Sequence, residues 1–268
     1  MGDSAAMRAF RVVFVSQEDP FYVRLFFEEF LKSYPKRWEV AAVVFAPPMG
    51  KRSVIDLAKQ MYQFYGLVDF LRVGTRYVSY KVRSRLPVMG GRFFSVRQVC
   101  RYHGVPVLDV DSVNGESFLD VLRASKPDLV ISVAAPQVFR AALIGIPRLG
   151  CINIHNAKLP KYRGMLPNFW QMYCGEKAVG TTIHRINDKL DDGEILFQTE
   201  TDIEPGESLD ELICRTKRFG AHLMVRAIDA LERGVAVPVP NVTAEATYFS
   251  FPTSADVAEF RKKGYRLI

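Results

Sequence analysis

The chain has 268 residues, 49% hydrophobic, 24% charged and 12% aromatic, with a formal charge of +7 from 36 basic against 29 acidic residues. That length can bury a sizeable core without disulfides or a structural metal, and no apolar run reaches the roughly 18 residues of a membrane-spanning helix. Cys100, Cys151, Cys174 and Cys214 form no Cys-x-x-Cys pair and the first ten residues lack a signal-peptide core, so a reduced, cytoplasmic protein that is neither secreted nor membrane-inserted is expected.

Residues 10–15 read as a buried strand, and Asp19 with Pro20 opens a helix that runs to Leu31. A second strand over 39–45 ends in the turn signal of residues 46–50. From Val54 to Val82 apolar residues recur at helical spacing (Ile55, Leu57, Met61, Phe64, Leu67, Phe70 and Leu71), broken by Gly66 and Gly74. This predicts one or two helices packed on the sheet, or an insertion covering part of it. A membrane-surface helix is the less favoured reading, because an aromatic stripe is more often core.

A short helix over 95–102 precedes a strand after Gly104, and a helix over 117–124 leads into the strand 127–133, whose near-continuous apolar character suits a parallel sheet covered on both faces. Strand 151–154 and a helix over 167–173 follow. Strands 180–186 and 194–201 flank the acidic turn 187–193, and Ser208 starts a long helix that Gly234 stops. The alternation predicts an α/β fold with a mostly parallel, doubly wound sheet, flanking helices and a short C-terminal extension. The expected division is 1–234, with an insertion near 50–94, and an extension of 235–268 too small for its own core.

The charge excess is gathered in short basic clusters, which suits an anionic or phosphorylated ligand. No helix-turn-helix, zinc-finger or single-strand-binding signature accompanies it. The densest chemistry lies between Asn153 and Gly164. On a strand, Asn153 and His155 point to the same side and emerge near the C-terminal end, where open α/β sheets place their ligands. Downstream, residues 188–194 crowd Asp188, Asp191, Asp192 and Glu194 into one turn. A carboxylate beside His155 fixes its tautomer and raises its pKa, while Asn153 donates to a developing oxyanion, a set suited to acyl-type transfer without a nucleophilic side chain. Taken singly, His155 also fits a satisfied core histidine, Asn153 a strand-end cap, and Asp191 or Asp192 a turn former.

The pattern Asn153-x-His155-x-x-x-Leu159-Pro160-x-x-Arg163-Gly164, then Gly180-x-Thr182-x-His184 and Leu190-Asp191-x-Gly193, resembles the folate-dependent formyltransferases, a family that includes enzymes acting on methionyl-tRNA, glycinamide ribonucleotide and amino sugars. The histidine and aspartate stand 36 residues apart, and the resemblance covers about residues 95–205. It implies 10-formyltetrahydrofolate as donor, a primary amine as acceptor, no metal, and Asn153, His155 and Asp191 as the catalytic trio, with a protonated His155 and Asn153 stabilising the tetrahedral oxyanion. Asp192 is the competitor for the acidic role. The donor pocket is expected along Ala134, Ala135, Pro136, Gln137 and Val138, and at Asp188 and Leu190.

For the acceptor, Lys158, Arg163, Phe169 and Trp170 are the candidates, although Arg163 also suits a loop tie and Phe169-Trp170 helix packing. Ala157-Lys158 replaces the family's common Ser-Leu, and only 34 residues follow Gly234. On that length a tRNA-gripping barrel is not expected. A small, phosphorylated amine acceptor, specifically a nucleotide-linked amino sugar, is therefore preferred over methionyl-tRNA, glycinamide ribonucleotide or simple hydrolysis of the donor. A non-enzymatic folate-binding role fits least, and a homodimer is left open.

Overall fold

A central seven-stranded sheet with strand order β3-β2-β1-β4-β5-β7-β8 organises the chain. In this computed structural model, residues 8–48 and 53–268 are described; the end of the expected 46–50 turn lies outside them. Strand β1 (Phe10–Ser16) is followed by helix α1 (Val23–Ser33) and β2 (Trp38–Phe45). Asp19 accepts hydrogen bonds from the Phe21 and Tyr22 amides, so the start expected at 19–20 is an N-terminal loop, and regular helix begins at Val23.

Helix α2 (Val54–Arg83) breaks at Gly66, whose φ of 71° and ψ of 173° leave helical space. Such a backbone is open to glycine and strained for other residues. Then come α3 (Val96–Tyr102), β3 (Val107–Asp109), α4 (Glu116–Ser125), β4 (Leu129–Val133) and the single turn α5 (Ala141–Ile144). Strand β5 (Cys151–His155), the two-residue β6 (Arg163–Gly164) and α6 (Pro167–Tyr173) precede the hairpin β7 (Ala178–Arg185) and β8 (Ile195–Asp202). A Ser208/Glu211 capping box opens α7 (Leu209–Glu232). Beyond it lie β9 (Tyr248–Phe249) and α8 (Ser254–Lys262).

Strands β1 to β5 pair in parallel, and β7 and β8 close the edge antiparallel. Residues on β1 and β4 are buried on both faces, as continuous apolar strands require. One face packs against α1, α3 and α7 through Phe14, Phe26, Phe30, Met224 and Ile228; the other packs against α4 and α5 through Phe118, Leu122 and Leu143.

Both faces are thus already covered, and α2 does not lie on the sheet as its periodicity suggested. It sits outside, against α8 and the start of α7, and Phe64 is its one buried side chain. The segment after Gly234 is not loose either. β9 pairs with β6, and Val257, Phe260 and Leu267 join Phe169, Leu212 and Ile213 in a third core cluster.

Candidate active site

Strand β5 carries Asn153 and His155 two residues apart, and its antiparallel neighbour β7 sets His184 across from Asn153 and Thr182 across from His155. The β7–β8 connection brings Asp191 to both histidines. Its Oδ2 lies 3.7 Å from His155 Nδ1, and its Oδ1 lies 3.6 Å from His184 Nε2. The Gly164 amide donates to the same Oδ2 at 3.1 Å.

Local backbone chemistry makes this delivery specific. Asp191 has φ of 50°, a left-handed conformation that aspartate and asparagine tolerate better than most residues. Two residues on, a Cβ at Gly193 would lie 1.9 Å from the Arg185 carbonyl oxygen, so the base of the hairpin closes only around glycine. The neighbouring Asp192 turns elsewhere: Arg163 Nη1 and Thr243 Oγ1 each donate to its Oδ1 at 2.7 Å.

The tautomers follow from the carbonyl partners. His155 Nε2 is 2.9 Å from the Tyr162 carbonyl oxygen, so Nε2 carries the hydrogen and Nδ1 faces Asp191 as a base. His184 Nδ1 donates to the Arg185 carbonyl at 2.8 Å, leaving Nε2 to accept from Asn153 Nδ2 at 3.1 Å. His184 therefore fixes which way the Asn153 amide points. The sequence motif contained His184 without giving it that role.

Burial lowers the His155 pKa below its usual 6.5, and Asp191 opposes this only in part. The resting imidazole is therefore neutral at pH 7. Burial alone would raise Asp191, but the charge interaction with His155 and the hydrogen bond from the Gly164 amide outweigh it and bring its pKa to about 2.

These residues form one wall of a cleft of about 500 Å³. Ala134, Ala135, Pro136, Gln137 and Val138 line it, as does Leu190, whereas Asp188 does not and is exposed. None of the four candidate acceptor residues lines it. Lys158 is exposed and paired with Glu200. Arg163 is buried on Asp192 and Asn241. Phe169 stacks on Phe260 with centroids 4.6 Å apart, and Trp170 stacks on Phe249 while its indole N–H donates to the Ser250 carbonyl.

Polar groups that sequence reasoning passed over stand in the cleft instead: Gln17, Asp19, Tyr22, Asn168 and Lys217. Lys217 is half-buried; burial lowers its pKa, with Asp19 as the opposing charge. Asn168 Nδ2 donates to Thr216 Oγ1 at 3.0 Å, while its buried Oδ1 has no hydrogen-bond partner among the described residues. No group of three or more His, Cys, Asp and Glu that could hold a metal ion occurs among the described residues.

Comparison with known proteins places this geometry in context. The family model described as formyl transferase matches residues 95–228. Methionyl-tRNA formyltransferase of Lachnospira eligens is 35% identical over 156 residues, covering 58% of this chain and 50% of that protein. The chain thus spans about half the length of the curated relatives it matches. Among solved structures, glycinamide ribonucleotide transformylase 1 from Symbiobacterium toebii superposes with a TM-score of 0.57 at 17% identity, covering 85% of this chain and 90% of that one. A sugar N-formyltransferase from a Shewanella species gives a TM-score of 0.51 at 18% identity, covering 90% and 77%. At such identities these two likenesses concern the fold.

Proposed function

The chain belongs to the formyl transferase family, and from that premise we propose that it transfers the formyl group of 10-formyltetrahydrofolate to a primary amine, with Asn153, His155 and Asp191 as its catalytic residues. The observation that carries this reading is the meeting of those three side chains on one wall of the cleft. The size of the cleft suits a ligand of folate dimensions. Its apolar loop 134–138 offers a wall for the pterin. The donor supplies an activated formyl carbon; the remaining work falls to the chain.

Neutral His155 takes the proton that the attacking amine must lose, at Nδ1, the ring nitrogen facing Asp191. The imidazolium formed there lies beside a carboxylate that is ionised at neutral pH, which favours the transfer, and its proton then passes to N10 of the departing tetrahydrofolate as the formyl C–N10 bond breaks. Asn153 Nδ2, with one hydrogen committed to His184, directs its other hydrogen toward the oxygen that gains charge.

Among acceptors, the aminoacyl amine of methionyl-tRNA now has the better support. The preference for a nucleotide-linked amino sugar leaned on chain length and on Lys158, Arg163, Phe169 and Trp170, and those four side chains do not line the cleft. The relatives near 35% identity are methionyl-tRNA formyltransferases, whereas two sugar N-formyltransferases share the fold at 14% and 18% identity.

The test is incubation of the purified protein with 10-formyltetrahydrofolate and, separately, methionyl-tRNA, glycinamide ribonucleotide and amino-sugar nucleotides. Folate release should depend on the acceptor and should be greatest with methionyl-tRNA. Greater transfer to an amino sugar would restore the small-acceptor reading, and formate release with no formylated amine would replace transfer by hydrolysis.

A further inference from the structure

Helix α2 divides its apolar residues by type. Toward the body it turns Phe64, Tyr65 and Tyr80: Phe64 packs on Phe169 and Phe251, and Tyr80 on Phe21 and Phe94. On the same side Arg76 pairs with Asp210 at 2.7 Å and lies over the Phe21 ring. Arg261 donates to the Tyr65 carbonyl and to Asp69. This face is tied down by rings and ion pairs together.

The opposite face is aliphatic and bare. Beyond the Gly66 break, Leu67, Leu71, Val78 and Val82 fall on one side of the helix, with Val68 beside them, and their exposures run from 54% to 61%. A stripe of this kind along four turns, interrupted only at Gly74 and Thr75, is unusual on a free soluble surface.

Charge decides what covers it. Between Asp69 and Asp109 the sequence has eight basic residues and no acidic one. Of these, Lys81, Arg83, Arg85 and Arg92 are exposed and have no carboxylate partner among the described residues. Lys81 and Arg83 lie over the Tyr77 and Phe94 rings instead. A second copy docked on this stripe would bring these cations toward their own counterparts with no acid in the segment to neutralise them. An anionic lipid surface takes both features at once, aliphatic side chains into the acyl boundary and cations onto the headgroups. No helix among the described residues is long and apolar enough to cross a membrane, so the contact is one of lying on the surface.

We propose that the outer face of α2, with Leu67, Leu71, Val78 and Val82 flanked by Lys81 and Arg85, is a peripheral docking surface for an anionic phospholipid bilayer. The proposal is independent of the acceptor and of formyl transfer.

The test is co-sedimentation of the full chain with vesicles of phosphatidylcholine alone or of phosphatidylcholine mixed with phosphatidylglycerol. Binding is expected to the mixed vesicles and to weaken as salt is raised. A Lys81→Gln/Arg85→Gln variant should partition about 30-fold less, and a Leu67→Ser/Leu71→Ser/Val78→Ser variant at least about tenfold less. All five positions are exposed, so circular dichroism melts should match wild type. Equal binding to both vesicle types, salt-independent binding by the wild-type protein, or an unaffected stripe variant would overturn the proposal. So would a dimer in solution that the stripe substitutions convert to monomer, since a second copy would then be the occupant.

Discussion

Replacing Asp191 by asparagine isolates the charge at the centre of the site. Asparagine shares aspartate's tolerance of the left-handed backbone at φ of 50°, and its amide oxygen can still accept from the Gly164 amide. What disappears is the negative charge beside His155 and His184. The Asp191 pKa falls from 3.8 to about 2 in the folded chain, a difference worth about 2 kcal/mol of stability in favour of the ionised form. Because the folded pKa is the lower one, this contribution is complete above pH 3.8 and is lost as pH falls toward 2. For a chain of this size the variant should therefore melt about 4–8 °C lower above pH 3.8 while His155 still holds its proton; the gap should narrow toward pH 7 as His155 becomes neutral, and wild type and variant should converge in acid. Activity adds a second, separate sign. Asp191 raises the His155 pKa against the lowering by burial, so its removal should move the acid limb of kcat/KM to lower pH while cutting the rate about 100-fold or more. Thermal melts and pH profiles of the purified variant check both. Asp192→Asn, altering the carboxylate bound to Arg163 and Thr243, is the control and should retain near-wild-type turnover. A wild-type rate in Asp191→Asn with an inactive Asp192→Asn would move the acidic role by one residue and refute the assignment.

Gly193→Ala places a methyl group 1.9 Å from the Arg185 carbonyl oxygen, a backbone atom that cannot swing aside. A loss of about 1–3 kcal/mol is expected from overpacking, and a denaturant midpoint equal to wild type would show that the hairpin opens more easily than the geometry allows. Lys217→Gln removes the half-buried cation in the cleft, whose burial lowers its pKa against the charge of Asp19. It should raise KM for an anionic acceptor and leave the chemistry at His155 in place; an unchanged KM with a lowered kcat would assign Lys217 to the reaction itself. In wild type, burial places the acid limb of the rate profile below pH 6.5, because activity requires neutral His155 and is lost as pH falls through its folded pKa. A limb above that value in a pH titration would contradict the neutral resting imidazole.

The sequence rhythm carried the sheet well, because each parallel strand is apolar on both faces and each helix shows its own period. Asn153 and His155 were legible for the same reason: strand alternation alone puts them on one side. Asp191 and Asp192 could not be separated by composition. Which one turns inward depends on the φ of 50° at Asp191 and on the close approach of Gly193 to Arg185, both set by the completed hairpin. Lys158, Arg163, Phe169 and Trp170 looked free because their partners lie far along the chain, at Glu200, Asp192, Phe260 and Phe249. For α2 the helical period was readable, but not which face the body would take, since α1, α3 and α7 already cover that side of the sheet.

The same dependence on distant partners changes the meaning of the residues after Gly234. Asn241 Nδ2 donates to the carbonyls of Asp191 and Gly193, at 2.9 and 3.1 Å, and its Oδ1 accepts from Arg163 at 3.2 Å. Val239 exchanges two backbone hydrogen bonds with Ile195 at 2.8 Å, just past the turn, and Thr247 Oγ1 accepts from the Tyr162 amide. Tyr162 in turn gives the carbonyl that fixes the His155 tautomer. The segment, too small for a core of its own, thus holds both the aspartate turn and the loop that orients the histidine. Its small size is no obstacle, since it completes hydrogen bonds that those two loops would otherwise leave unmet, and their stability depends on it.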